Sequence, residues 1–430
     1  MTEKIFMITW EYPPRMIGGL GEHVYHLSKE LPASDKQIHV LTPATGAVLE
    51  HEAHGGLIIH RIPSLQLNTP DFITDVLQWN LQVLQSAIKL TEHTGVPDLI
   101  HVHDWLGALA GRSLKHLYKV PLVGTIHATE KGRHNGIHNT LQQYINDIEW
   151  MLGYEAWAVI VCSNYMLEEV QRNFSLPQDK IWVIANGVSM TPLWHKTIYE
   201  IDSEKILQET EQQGDALRHL AEQRRRYLLY LGRLTREKGV DTLLTAFSRL
   251  PQRLRDTLNL VIAGRGPEEH NLKRITYNLG LAHQVIFTGR VEEELKLGLL
   301  KGAEISVFPS LYEPFGIVAL EAMAANSPVI ASRTGGYTET IEHGRTGLLF
   351  NPGDSHDLNH KLMQLIDDSH LRERLRTEGR RMVEQEYRWS NIAKKTGRLY
   401  TSIINEAKDQ QWIETEWPLQ KNGTRLIGYS

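Results

Sequence analysis

At 430 residues the chain is too long for one ordinary core of about 150 residues, so two large α/β domains are expected. Hydrophobic residues at 41% and charged residues at 23% fit a folded soluble protein and exclude a disordered one. A formal net charge of −5 argues against nucleic-acid binding driven by phosphate neutralisation.

The first half alternates short β-rich runs with longer helical patterns, the mark of a parallel sheet wound with crossover helices. Strands are predicted at 5–10, 38–42, 57–62, 99–103, 122–126, 158–163 and 181–185, and helices near 20–31, 72–93, 106–118, 138–153 and 164–173. Residues 191–225 are polar and charged, without a clear buried face, and read as a linker with peripheral helices between a first domain at 1–190 and a second at 226–388. There the alternation restarts, with strands at 227–232, 260–264, 285–289, 305–309, 328–332 and 347–350 and helices near 239–249, 267–279, 292–302, 315–325, 354–366 and 370–386. A helix near 390–407 and an uninformative tail fill the last segment, 389–430. The expected fold is two doubly wound, Rossmann-like α/β domains facing each other across a cleft, with ligands beyond the carboxyl ends of the strands.

Cys162 is the single cysteine, which excludes an intramolecular disulfide and a cysteine metal cluster and suits a reducing interior. The start MTEKIFMITW lacks the basic and apolar parts of a signal peptide, and no apolar run reaches the ~18 residues of a membrane span. A cytoplasmic location and no integral membrane segment are the resulting expectations.

Three loops that follow strands carry candidate chemistry. In WEYPPRMIGGLGEHVYHL (10–27), Gly18 and Gly19 allow close backbone approach, and the helix after them offers N–H groups and a positive dipole end to an anion. A dinucleotide fingerprint is incomplete here, because Val24 stands where the third glycine is required. In GRLTREKG (232–239), Arg233 and Lys238 flank a strand end and a helix start, where two cations neutralise a diphosphate without a metal; the chain has no D-x-D triplet to hold one, so no metal and no cofactor are expected.

The third loop is YEPFGIVALEAMAANSPVIAS (312–332). Glu313 lies just after a strand, Gly316 permits close approach of a ligand to the following helix, and Glu321 falls about two turns into a helix that is apolar nearly all round. Burying that carboxylate costs several kcal/mol in round figures unless it is bonded, so it faces a wet gap, holds a polar ligand, or pairs with a neighbouring arginine or lysine. Sugar and ribose hydroxyls suit such acceptors.

This set, Gly18–Gly19, Arg233, Lys238 and the Glu313 to Glu321 spacing with Gly316 between, resembles the retaining glycosyltransferases of the GT-B fold, family 4, group 1. The resemblance implies that Glu313 contacts the donor sugar, that Gly316 and Ile317 line the donor site, that Glu321 holds the ribose, and that Arg233 and Lys238 hold the diphosphate. The segments HVHDWLG (101–107), GTIHATEKGRHNG (124–136) and NGV (186–188) are similar to the glycogen and starch synthase branch, including its maltose-phosphate-forming relatives. By that likeness His127 lies beside the transferred sugar, Asn186 lines the donor side, and Asp104 and Glu130 serve the acceptor side. Asp104 is equally placed to cap the helix that follows it. The chain departs from the ADP-glucose synthases, whose K-T-G-G-L loop is here Arg15 to Leu20 with one more residue before the glycines; they also lack the second glutamate.

The implied activity is a configuration-retaining hexosyl transfer from ADP- or UDP-glucose to an α-1,4-glucan or maltooligosaccharide. Other acceptors compete: glucose 1-phosphate, sucrose- or trehalose-type sugars, or a cell-envelope glycan. A nucleotide-sugar epimerase is the rival from another class. The nucleobase, the acceptor and the oligomeric state stay open.

Overall fold

A computed structural model describes residues 2–16, 18–44, 51–65, 67–190 and 196–412. Ile17 of the glycine loop, the first five residues of the expected linker and the tail beyond 412 lie outside the described residues.

The first sheet contains β1 (Glu3–Ile8), β2 (Lys36–Pro43), β3 (His51–His54), β4 (Leu57–Ile62), β5 (Leu99–His103), β6 (Leu122–Ile126), β7 (Ala158–Val161) and β8 (Ile181–Val183). Their spatial order is β3-β4-β2-β1-β5-β6-β7-β8, parallel except for the β3–β4 pair. The second sheet contains β9 (Arg226–Leu231), β10 (Leu258–Ala263), β11 (Val285–Gly289), β12 (Ile305–Phe308), β13 (Val329–Ser332) and β14 (Leu348–Phe350), all parallel in the order β11-β10-β9-β12-β13-β14. Helices cover both faces of such sheets, so the strands bury both sides and read as unbroken apolar runs: β5, β6 and β10 are buried at every residue.

Chain direction reverses between β1 and β5 in the first sheet and between β9 and β12 in the second. At such switch points the loops after neighbouring strands diverge and leave a crevice. The Gly18–Gly19 turn and Asp104 follow β1 and β5; Arg233 and Lys238 follow β9, and Glu313 follows β12. Four of the six candidate segments thus lie at the two crevices.

Helix starts are set by short polar side chains. Asp71, Asn139 and Ser163 accept from the backbone N–H groups of Thr74, Gln142 and Met166, at the starts of the helices Phe72–Thr94, Thr140–Glu155 and Asn164–Phe174. The long last helix, Trp389–Asp409, returns to the first domain and buries Ile392, Leu399, Tyr400, Ile403 and Ile404 in the core beside Ile5, Val24 and Leu31. Tyr400 seals that contact with a 2.5 Å hydrogen bond to His101.

Three expectations need correction. The polar strand β3 is unforeseen; it forms an antiparallel hairpin with β4 through Gly55 and Gly56, both at positive φ. The segment between the domains does have a buried face: Ile198, Ile201, Ile206, Leu217 and Leu220 pack into a core shared with Leu295, Leu297 and Leu299, and Gln212 and Gln213 bond the backbone of Thr288 and Phe287. That apolar pattern is broken over short helices, so no single period carries it. The helix expected from 315 begins at Ile317, because Gly316 before it sits at φ 91, left-handed, with a Cβ position only 2.2 Å from the Tyr337 ring.

Candidate functional site

The cleft is closed. The Cβ position of Gly19 lies 3.4 Å from Ile317 Cδ1, so the glycine turn of the first domain meets the first turn of the helix Ile317–Ala324 of the second. The Gly18 N–H is not open to a ligand here: it donates to the Glu11 carboxylate at 3.0 Å.

On the second domain, Lys238 Nζ donates to Glu313 Oε2 at 2.8 Å, and Ser310 donates to the same oxygen at 3.2 Å. This pair joins the loop after β9 to the loop after β12. Gly239 makes the approach possible, since it sits at φ 60 and its Cβ position is 2.3 Å from the Pro309 carbonyl oxygen. Arg233 is 48% exposed and only loosely tied to Glu237, at 3.4 Å. Of the two cations, then, Lys238 is preorganised and Arg233 is free to swing.

Glu321 is paired, as one of its readings anticipates. Lys296, on the helix Glu293–Gly302, donates to it at 3.2 Å, to Glu293 at 2.8 Å, and reaches Glu22 of the first domain at 4.0 Å. One ammonium thus faces three carboxylates. Burial lowers the Lys296 pKa, but Glu321, Glu293 and Glu22 together outweigh it and raise it overall. Burial raises the Glu321 pKa against the pull of Lys296, with Glu22 and Glu293 adding to the rise. A pocket at this place is lined by Glu22, His26, Ser189, Ile317, Glu321 and Trp389, so Glu321 does reach a gap between the domains.

On the first domain four imidazoles converge. His23 Nδ1 donates to Asn186 Oδ1 at 2.6 Å, which leaves its buried Nε2 unpartnered. His103 Nδ1 and His127 Nε2 share a hydrogen bond at 3.2 Å, and His103 Nε2 is also buried without a partner. His101 is held apart from the cleft between Tyr400 and Thr125. Burial lowers the pKa of all four, His127 to about 3 and the others well below the usual range, so the cluster is neutral at pH 7. Among the described residues His23, His103 and His127 are the group able to offer three nitrogens to a cation, with ligand atoms within 4.8 Å of one another. In the present arrangement two of them are already hydrogen-bonded to each other.

Asp104 does not cap a helix. At φ 56 its carboxylate turns to the loop after β6, accepting from the His127 N–H at 2.7 Å and facing Arg133 at 3.6 Å. Burial lifts its pKa to about 6, against the opposing pull of Arg133. Glu130 is buried beneath the same loop; its backbone N–H donates to both oxygens of Glu149, and its side chain touches His134 at 3.2 Å. Burial pushes Glu149 up to about 8.

The structure therefore gathers Gly316, Ile317, Glu313 and Lys238 on the second domain and Gly19, His127, Asp104 and Asn186 on the first. Sequence reasoning misses Lys296, Glu22, His23, Arg133 and Glu149. Arg133 stands inside the quoted GTIHATEKGRHNG segment and Glu22 just after the glycine turn, so position hinted at both; Lys296 and His23 carry no local signal.

Both halves match known profiles: residues 17–191 match Glycosyltransferase Family 4, and residues 215–382 match Glycosyl transferases group 1. An uncharacterised glycosyltransferase of Methanocaldococcus jannaschii is 35% identical over 400 residues, 92% of this chain and 97% of the relative. A glycogen synthase of Mycobacterium tuberculosis is 32% identical over 424 residues, 95% of this chain and 97% of the relative. The solved sucrose-phosphate synthase of Thermosynechococcus elongatus superposes with a TM-score of 0.77 at 23% identity, covering 94% of this chain and all of that one, a likeness of fold. With both sheets, their switch points and these matches in agreement, the chain belongs to the group 1, family 4 glycosyltransferases, configuration-retaining GT-B enzymes that use nucleotide-sugar donors.

Proposed function

We propose that the enzyme moves glucose from ADP- or UDP-glucose to an α-1,4-glucan or maltooligosaccharide, with the second domain (226–388) taking the donor and the first (1–190) the acceptor. The observation that carries the donor half is the Lys238–Glu313 pair at the second switch point, a few residues before Ile317, which meets Gly19 across the cleft. The acceptor half is supported by the glycogen synthase relative, matched along nearly its whole length.

As the sugar–phosphate bond breaks, negative charge grows on the diphosphate and positive charge on the sugar ring. Lys238 stabilises the first from a fixed position, Arg233 swings onto it, and the helix end at Gly19 adds its dipole once Glu11 releases the Gly18 N–H. Glu313 orients the sugar hydroxyls, with Gly316 and Ile317 as the floor beneath them. Glu321 exchanges Lys296 for the ribose hydroxyls, an exchange of one polar partner for another that avoids an unpaired buried charge.

Asp104 fixes the His127 backbone, which places the neutral imidazole and its carbonyl beside the sugar. His23 orients Asn186 on the donor side. Asp104 and Glu130 shape the acceptor loop from beneath through Arg133 and Glu149 rather than by an open carboxylate. The departing phosphate accepts the acceptor's proton on the same face, so configuration is kept without a protein nucleophile. A cytoplasmic location fits the single, buried thiol; no helix among the described residues is long and apolar enough to cross a membrane.

The test is release of nucleoside diphosphate from a panel of nucleotide sugars with and without glycogen, maltooligosaccharide or glucose 1-phosphate. Glucan-dependent release from a glucose donor with chain extension supports the proposal. Release with glucose 1-phosphate alone replaces the acceptor by a sugar phosphate, and an epimerised product without any acceptor overturns the transfer reading.

A further inference from the structure

The second domain has a separate pocket of about 310 Å³, lined by Tyr199, Arg226, Gly302, Glu304, Arg372 and Arg376. Its place in the fold is opposite the donor site. Arg226 opens β9 and Glu304 immediately precedes β12, so the pocket lies at the amino ends of the same two strands whose carboxyl ends lead to Arg233 and Glu313.

Three guanidinium groups face one carboxylate there. Glu304 is satisfied already: Arg226 Nε donates to it at 2.5 Å, a second Arg226 nitrogen bonds its other oxygen, and Arg372 lies 3.6 Å away. Arg372 is anchored by donating to the carbonyls of Leu365 and Ile366, at 2.5 and 3.2 Å, which fixes its fork at the pocket wall. Among the described residues Arg376, one turn further along the helix Ser369–Glu386, pairs with the exposed Glu373 at 3.6 Å, and its buried Nε has no hydrogen-bond partner there. A buried guanidinium N–H left unbonded is costly, and its natural partner is an anion.

We propose that this pocket binds a phosphate monoester. The lining holds three guanidinium groups and the Glu304 carboxylate, with Glu373 beside Arg376 at the rim, so the pocket keeps a net positive charge that suits a phosphate anion. The Arg226 fork is taken by Glu304, so the N–H groups left for a ligand come chiefly from Arg372 and Arg376 on successive turns of one helix, and a phosphate offers three terminal oxygens where a carboxylate offers two. The volume exceeds that of a bare phosphate, and Tyr199, whose hydroxyl is held by the Arg225 carbonyl at 2.9 Å, gives its ring as a wall for the esterified group. The site needs neither the donor nor the acceptor proposed above.

It is tested by isothermal titration of the full chain with inorganic phosphate, in three proteins. The Lys238→Ala variant removes the preorganised cation of the proposed donor site, and here phosphate binding persists. In Arg376→Gln the affinity falls roughly tenfold or more, the weight of one charged hydrogen bond, while the melting temperature holds because that side chain anchors nothing in the core. Arg376→Lys, which keeps the charge and loses the fork, falls between. Loss of binding in Lys238→Ala, or unchanged affinity in Arg376→Gln, overturns the proposal. A hexose monophosphate and a nucleoside monophosphate, titrated next, identify the esterified group by which one binds tighter than phosphate.

Discussion

Lys238→Ala is the sharpest test of the donor site. The side chain is 19% exposed, and its ammonium sits 2.8 Å from Glu313, so in the proposed donor site it is held where the departing diphosphate would develop charge. Removing one preorganised donor to a developing oxyanion in a water-excluded site costs about 10²- to 10³-fold in kcat. Arg233 is 48% exposed with a 3.4 Å contact, so it enters the site at an entropic cost and its removal costs roughly tenfold. The two losses differ because one cation is already in position. Steady-state release of nucleoside diphosphate gives kcat and the donor KM, and the Ki of the free diphosphate reports ground-state binding separately. Since Lys238 and Glu313 act as one unit, Lys238→Ala/Glu313→Gln loses less than the product of the single losses. A Lys238→Ala enzyme with an unchanged melting temperature and a kcat within about threefold of the parent would refute the reasoning.

Glu321→Gln raises the donor KM about tenfold, and the difference disappears with a donor analogue lacking the ribose hydroxyls; a difference that survives in the analogue removes the ribose role. Glu149→Gln changes the pH dependence of stability: with the native pKa raised from 4.5 to about 8, the folded wild type holds a proton the unfolded chain gives up, so its stability falls as pH rises from about 4.5 through 8, by on the order of a few kcal/mol. The glutamine variant lacks that loss, so its melting temperature gains on the wild type between pH 5 and 9, and parallel profiles would count against a buried protonated Glu149. Gly132→Ala puts a Cβ 2.5 Å from both the Tyr312 hydroxyl and Glu169 Oε1, so the cleft fails to close; scattering in solution shows a larger radius of gyration and kcat falls roughly tenfold, and an unchanged profile would disprove the clash.

Strands buried on both faces announce themselves, because the apolar run carries its own signal: the ranges for β4, β5, β6 and β11 coincide with their sequence readings. β3 does not, being a polar edge strand whose only mark is the Gly55–Gly56 turn. The residues proposed for the donor site were legible for a similar reason. Arg233, Lys238, Glu313 and Glu321 follow strands at fixed offsets, and strand ends were readable. Lys296 was not, because its meaning comes from packing: the helix that carries it reads as an ordinary amphipathic segment until Glu321 and Glu22 are brought beside it. His23 and Asn186 are 163 residues apart, and only the closed fold makes them partners.

Three consecutive residues explain why closure and chemistry are inseparable here. Tyr312 donates to Glu169 at 2.9 Å, an oxygen that also takes the Thr129 hydroxyl beside the His127 loop; Glu313 holds Lys238; and the Pro314 carbonyl accepts from Ser163 at 2.7 Å. Residues 312 and 314 therefore dock on the first domain while the residue between them stays with the donor site. A little further on, Glu339 accepts from the Asn164 and Tyr165 N–H groups at the start of the helix Asn164–Phe174, where the dipole favours a carboxylate. All of these contacts are polar; those of Glu339 are exposed and readily remade in water, whereas the Glu169 bonds to Tyr312 and Thr129 are buried and must be rehydrated on opening. A dry apolar seam would hold the cleft shut against product release. A polar seam hinged on the Glu313 loop lets the same residues that assemble the proposed site release it, and opening draws that loop away from the one that carries Thr129.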